Sequence, residues 1–371
     1  MAPATGFEPI AVTVLTGFLG AGKTTLLNRM LRDAALANTA VIVNEFGDVA
    51  IDHLLIEKAS DGVVELSDGC LCCTVRGDLV DTLADLIDRV QTGRSARLDR
   101  VVIETSGLAD PVPVLQSLMG HPALAHMLRL DGVVAVVDAV NGSATLNAHA
   151  ESVRQIAVAD LLLVSKRDVA EPLASTELEG RLRSLNPAAA IVDAAEAEPA
   201  RLVGLGLYDP RTKSADVARW LGEAAGHHSH DHAHDHQDHE HDHHHGHDHR
   251  VRSISLVHDK PVAWTTVEMF LDLLRSSQGE RLLRMKGIIE LVEDPGRPLV
   301  IHGVQRLMHP PARLPAWPSG PRGTRLVLIT FDMDEGYVRR LFSAFTGAPP
   351  VDMPDRTALS DNPLAIPGFR G

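Results

Sequence analysis

The sequence is poor in cysteine, in aromatic residues and in positive charge, and each shortage removes a class of protein. Three cysteines in 371 residues cannot build a disulfide framework, and all three fall within four positions, at Cys70, Cys72 and Cys73. That clustering suits a reduced compartment and a thiolate site. Aromatic residues make up only 4% of the chain, which leaves few platforms for stacking single-stranded nucleic acid. Lys and Arg number 35 against 49 Asp and Glu, and the resulting net charge of −14 is unsuited to a phosphate backbone. Nucleic acid is therefore not expected as a partner. No apolar run approaches the roughly 18 residues of a membrane span, and the start of the sequence has neither a charged n-region nor an apolar h-region. A cytoplasmic protein without a membrane partner is expected.

Histidine, by contrast, is abundant and local. Of 20 histidines, 13 lie in one stretch: His227, His228, His230, His232, His234, His236, His239, His241, His243, His244, His245, His247 and His249. Asp231, Asp235, Asp238, Glu240, Asp242 and Asp248 interleave with them and no Lys or Arg does, so −6 of the net −14 is confined here. With no large apolar side chain to offset the entropy of ordering, residues 223–250 are expected to form a disordered linker. Imidazoles alternating with carboxylates bind divalent ions in weak, interchangeable sites, which makes the linker a candidate metal reservoir; the alternative is a solvated spacer.

The linker divides the chain into a first domain at 8–222, a second at 251–347 and a Pro-rich tail at 348–371. In the first, the apolar runs Ile10 to Leu15, Ala40 to Val43, Val101 to Ile103, Val133 to Val137, Leu161 to Val164 and Ala190 to Val192 alternate with helical stretches. Continuous apolar strands separated by helices predict an α/β fold, a parallel sheet covered on both faces with ligands at the carboxyl ends of the strands. The second domain reads as a smaller α+β unit with its sheet covered on one face. Its Asp294-Pro295-Gly296 is expected to turn between two strands, and Asp334 to start a helix.

Chemistry-bearing motifs follow the predicted strands. After the first comes Gly17-Phe18-Leu19-Gly20-Ala21-Gly22-Lys23-Thr24, the full G-x-x-x-x-G-K-[ST] pattern, with Thr25 next. Such a loop closes backbone N–H groups around phosphates, puts Lys23 on the β- and γ-phosphates and sets the Thr24 hydroxyl to ligate Mg²⁺. Lysine is scarce here, 6 against 29 Arg, yet both Lys23 and Lys166 sit in such motifs. Glu104-Thr105-Ser106-Gly107 supplies a Walker-B-like carboxylate and a glycine whose N–H can meet the γ-phosphate. Glu45, in Asn44-Glu45-Phe46-Gly47-Asp48, belongs to a switch-like loop. Ser165-Lys166-Arg167-Asp168 resembles the [NT]-K-x-D guanine motif, with Asp168 on the base edge, the Lys166 stem on the ring, and Ser165 departing from Asn or Thr. Cys70 and Cys72 at i and i+2 can share a direction in an extended segment, and Cys73 can complete a third thiolate ligand if the chain turns, in a site for Zn²⁺ or another borderline or soft ion that needs a fourth ligand from elsewhere. His53 is a candidate auxiliary ligand and His302 a candidate functional group of the second domain, while His121, His126 and His149 carry no motif.

Taken together, the sequence resembles the CobW-like metallochaperone P-loop GTPases. The resemblance rests on GFLGAGKTT (Gly17 to Thr25), NEFGD (Asn44 to Asp48), ELSDGCLCC (Glu65 to Cys73), IETSGLADP (Ile103 to Pro111) and SKRD. It continues past the linker at Leu283-Arg284-Met285-Lys286-Gly287, at HGVQ (His302 to Gln305) and at Trp317-Pro318. It implies a P-loop NTPase sheet, a CobW-type second domain, GTP and Mg²⁺ as cofactors, and a transition-metal cargo held by the cysteines, Zn²⁺ first and Co²⁺ next. A GTPase follows, with Glu45, Glu104 and Gly107 supporting hydrolysis; because no residue carries the signature of a water-positioning Gln or a cis arginine finger, slow intrinsic turnover is expected. The partner would be a client metalloprotein or metal-inserting enzyme, with room for a nucleotide- or metal-dependent dimer. The alternatives are a metal-storage or sensing protein with nucleotide as conformational ligand, and a cobalt-delivery factor for cobalamin synthesis.

Overall fold

A computed structural model describes residues 9–44, 63–65, 71–95, 97–205, 250–309, 311–318 and 322–347. Glu45, His53, Cys70, all 13 clustered histidines and the Pro-rich tail lie outside the described residues.

Seven parallel strands form the first sheet: β1 (Ile10–Gly17), β2 (Thr39–Asn44), β3 (Val63–Glu65), β4 (Arg100–Thr105), β5 (Leu128–Asp138), β6 (Leu161–Ser165) and β7 (Ala190–Asp193), in the order β3-β2-β4-β1-β5-β6-β7. Six of these match the apolar runs. The seventh, β3, is three residues long, too short to show a hydrophobic period. Alternation splits each central strand between two cores. Val101, Ile103, Val133, Ala135 and Val137 face one cluster, whereas Val102, Val134 and Val136 face the other. On the second face lies helix α1 (Lys23–Leu31), through Leu26, Leu27 and Met30. The first face carries α2 (Leu71–Gln91), α3 (Val112–Gly120), α4 (Pro122–Ala125), α5 (Gly142–Ala148), α6 (Ala150–Val158) and α7 (Pro172–Leu185). Because β1 lies between β4 and β5, the loop leaving it opens at the middle of the carboxyl edge.

The second sheet is antiparallel: β8 (Val251–His258), β9 (Leu282–Leu291), β10 (Asp294–Val304), β11 (Leu307–Met308), β12 (Ala312–Arg313) and β13 (Thr324–Phe331). The helices Trp264–Gln278 and Glu335–Thr346 cover one face through Phe270, Leu274, Val338 and Phe342. Asp334 caps the latter, accepting hydrogen bonds from the backbone N–H groups of Gly336 and Tyr337. Two expectations are corrected. The β9–β10 connection falls at Val292 and Glu293, and Asp294 already pairs with Leu291, while Pro295 and Gly296 sit in an irregular stretch of β10 before Leu299 resumes the ladder opposite Ile289. And the other face of the sheet is covered too: Val251, Leu283, Val304 and Ile329 join the core of the first domain. Leu283 shares its strand with Arg284 and Lys286, whose charges hide that face from a hydrophobic pattern.

Those two cations are paired across the domain boundary. Asp160, just before β6, lies 3.0 Å from Arg284 Nη2 and 2.5 Å from Lys286 Nζ, and it also accepts the backbone N–H of Val133. All three charged side chains are about 5% exposed. Burial raises the Asp160 carboxyl, but the charges of Arg284 and Lys286 outweigh it and hold the group below its usual value. His302 stacks on His309 at 4.4 Å, and burial, then His309 and Arg284, push its imidazole well below 6.5.

Candidate nucleotide site

Gly17 ends β1 at φ +138°, and a Cβ there would stand 2.3 Å from the Val136 carbonyl oxygen, so only glycine lets the chain turn off the strand. The loop through Gly20, Ala21 and Gly22 then enters α1, whose first turn has no acidic residue to offset the positive end of the helix dipole. Lys23 is buried, and its ammonium donates to the carbonyls of Gly17 (2.9 Å) and Phe18 (3.2 Å). Thr24 donates to Glu104 Oε1 at 3.3 Å, while Thr25 faces solvent. Glu104 is 3% exposed, and its strand runs beside β1 with Leu15 opposite Glu104. A buried hydrogen bond from Thr105 to the Thr16 hydroxyl, 2.8 Å, ties the two strand ends.

The turn after Glu104 packs directly on this loop. A Cβ on Gly107 would lie 2.6 Å from the Leu19 backbone nitrogen. Behind the turn, the buried amide of Gln155 on α6 donates to the carbonyls of Gly107 (3.1 Å) and Ala109 (3.0 Å). Sequence reasoning passed over Gln155, which belongs to no local motif and meets its partners only in three dimensions.

Ser165 ends β6, and Lys166 and Asp168 follow it on the same edge. The Ser165 hydroxyl donates to the Ala21 carbonyl of the phosphate loop at 2.7 Å, so the departure from Asn or Thr still leaves a bridge between the two loops. Lys166 takes φ +59°, a left-handed conformation that costs a residue with a Cβ about 1–2 kcal/mol. Its ammonium is fixed by Asp138 Oδ2 at 2.6 Å. Asp138 also accepts from the backbone N–H groups of Val140 (2.8 Å) and Asn141 (3.2 Å) and from the Asn141 amide (3.0 Å). Burial raises this carboxyl, and the hydrogen bonds from Lys166, Asn141 and the backbone bring it below its usual value. Asp168 is exposed at the far end of the loop. Asp138 was also invisible in the sequence, since its partner Lys166 lies 28 residues away.

The cysteine segment differs from the sequence expectation. Backbone from Leu71 onward is helical, so Cys72 sits with Cys73 in the first turn of α2 rather than on the extended segment expected for Cys70 and Cys72. The cause is the 21-residue stretch without proline that buries Leu79, Leu83 and Ile87 at four-residue spacing against the sheet. Among the described residues no group of three or more His, Cys, Asp or Glu is assembled for a metal ion.

Comparison with known proteins agrees with this architecture in both domains. Residues 11–193 match the CobW/HypB/UreG nucleotide-binding domain, and residues 251–346 match the cobalamin synthesis protein cobW C-terminal domain. The chain belongs to the CobW family of P-loop GTPases. It is 34% identical to the zinc chaperone YjiA of Escherichia coli, over 91% of this chain and 98% of that one. It is 33% identical to the zinc chaperone CobW of Pseudomonas aeruginosa, over 89% of each. The zinc-regulated GTPase metalloprotein activator 1 of Schizosaccharomyces pombe is 34% identical over 50% of this chain and 46% of its own. Among solved structures, Zn(II)-bound YjiA GTPase from E. coli superposes with a TM-score of 0.62 at 29% identity, over 91% of this chain and 99% of that one. The family thus accounts for a parallel NTPase sheet joined to an antiparallel second domain. Among the described residues no helix is long and apolar enough to cross a membrane.

Proposed function

We propose that this GTPase carries zinc to a client metalloprotein, holding the ion at Cys70, Cys72 and Cys73 in the GTP state and releasing it on hydrolysis. The observation that carries this reading is the register of the parallel sheet. Val43 pairs with Glu65 at the end of β3 and with Glu104 at the end of β4, and Leu15 pairs with Glu104. The chain leaving β3 toward the cysteines therefore departs from the same carboxyl edge as the phosphate loop and the Gly107 turn. A thiolate segment rooted there shares its footing with the loops that answer a γ-phosphate. Relatives named zinc chaperones, matched over nearly their full length, support zinc ahead of cobalt.

In this mechanism the loop from Gly17 to Thr24 and the Lys23 ammonium receive the phosphates. The Thr24 hydroxyl and Glu104 carboxylate, oxygen donors 3.3 Å apart, suit a hard cation and would hold Mg²⁺, which when bound neutralises charge on the phosphates. Gly107 offers its N–H to the γ-phosphate, Glu45 and Glu104 assist the attacking water, and Lys166 and Asp168 select guanine. Asp138 and Ser165 hold the base loop in place before nucleotide arrives. GTP and metal tighten each other by one shared factor. The histidine-rich linker acts as a local metal buffer for the cysteine site.

The test is to titrate Zn²⁺ with and without Mg-GTP, comparing the wild type with a Cys70→Ala/Cys72→Ala variant. The wild type is expected to show one tight site that Mg-GTP strengthens at least about tenfold, together with weaker sites from the linker. The variant is expected to keep only the weaker sites and to lose zinc-stimulated hydrolysis. A variant that retains both the tight site and the stimulation overturns the reading in favour of a histidine-based store.

A further inference from the structure

Helix α6 touches both the Gly107 turn and the second domain. Gln155 pins the carbonyls of Gly107 and Ala109 from inside the core. Its neighbour Arg154 donates to Asp110 Oδ2 at 3.1 Å, at the end of the same turn, and its guanidinium also lies over the ring of Phe331 in β13, 5.8 Å from the centroid. Arg250, at the start of the second domain, stands 4.3 Å from the same centroid. The Phe331 ring thus contacts a cation from each domain. The other oxygen of Asp110 accepts the backbone N–H of Val112, fixing the start of α3. That helix ends on the second domain as well. Gln116 donates to Gln305 at 2.6 Å, and a Cβ on Gly120 would lie 2.8 Å from Leu307 Cδ1.

The Gly107 turn is therefore held on two sides. The phosphate loop lies against it in front, and behind it stand α6 and α3, both braced on the second domain. We infer that Arg154 and Gln155 are positioning residues for the γ-phosphate turn, and that the second domain, through Phe331, is part of what sets the rate of hydrolysis. A turn fixed by two carbonyl hydrogen bonds and one ion pair keeps the Gly107 N–H aimed at a single place. Loosening the brace lets the turn sample arrangements in which that donor is misdirected, and this weakens the transition state without touching nucleotide binding at the cradle. A client that grips the second domain would act on the same lever.

The inference rests on Gly107 being the γ-phosphate turn, and the experiment separates the two ideas. Steady-state GTP hydrolysis is measured for the full chain and for Arg154→Met, Arg154→Lys, Phe331→Leu and Gly107→Ala, with melting midpoints alongside. Arg154→Met and Phe331→Leu are expected to lower kcat about fivefold with KM for GTP within about twofold, and Arg154→Lys to recover at least half of the lost rate. Amide exchange at residues 107–110 should quicken in Phe331→Leu, whose side chain lies in the other domain. Folded Arg154→Met and Phe331→Leu proteins with wild-type kcat overturn the inference, even if their melting points fall, because a purely structural interface moves stability alone. If Arg154→Met does not fold, Phe331→Leu and Arg154→Lys decide. Should Gly107→Ala hydrolyse GTP normally, the assignment of the turn fails first; an inactive Gly107→Ala beside unaffected brace variants leaves the turn standing and removes the brace.

Discussion

Asp138 and Asp160 are buried carboxylates at opposite edges of two neighbouring parallel strands, and they do different work. Asp138 closes β5 at the carboxyl edge, opposite Ser165, and its cation partner Lys166 is 40% exposed. Asp160 precedes β6 at the amino edge, and both its partners, Arg284 and Lys286, come from the other domain and are as buried as it is. Each carboxyl is lowered despite burial, by hydrogen bonds above all in one case and by two full charges in the other. At the amino edge charge holds two bodies together. At the carboxyl edge it fixes the shape of a single loop.

The contrast predicts separable losses. Asp160→Ala leaves two buried cations without their anion, and the expected cost is about 3 to 5 kcal/mol of unfolding free energy, read by urea denaturation. The KM for GTP of the folded fraction should change little, and a stability loss below about 1 kcal/mol would mean that the triad is not the clamp described here. Asp138→Asn should cost about 1 kcal/mol or less in stability, since Lys166 is partly solvated. Its KM for GTP should instead rise about tenfold, a change of about 1.4 kcal/mol, with KM for ATP unmoved. Equal weakening of GTP and ATP would assign Asp138 to the phosphate cradle rather than the base loop.

The smallest effect is one of pH. His302 is held neutral in the fold by burial and by the nearby His309, Arg284 and Lys286, with Asp160 opposing them. Its folded value lies below the unfolded one, so its contribution is complete above about pH 6.5 and is lost as pH falls below that, when the unfolded chain takes up a proton the native state refuses. Asp160 acts in the same direction at lower pH, with stability lost below about pH 3.9. Melting midpoints should drop between pH 7 and pH 5.5, and His302→Gln should flatten that slope. An unchanged slope would show that His302 does not govern the acid side of the curve.

Much of the carboxyl edge could be read directly from the chain. Gly17 to Thr24, Glu104 to Gly107 and Ser165 to Asp168 are short, contiguous motifs, each following a run of apolar residues that marks a strand, and strand ends are where such folds bind ligands. Ser165 was legible only as a departure from a pattern; that its hydroxyl reaches the Ala21 carbonyl depends on β6 lying next but one to β1. The helical backbone at Cys72 and Cys73 was hidden because a pair at i and i+2 carries no sign of whether its backbone is extended or helical.

By itself, then, the sequence determined the class of fold and the local chemistry. Continuous apolar runs produce parallel strands buried on both faces, and the glycines of the Gly17 to Thr24 loop turn the chain through backbone geometry set within eight residues. Only the tertiary structure decided which polar groups face each other. Asp160 with Arg284, Asp138 with Lys166 and Gln155 with Gly107 are separated by 124, 28 and 48 positions. Nothing in a local pattern marks such partners, because the desolvation that makes their pairing obligatory exists only once the strands and the two domains have packed.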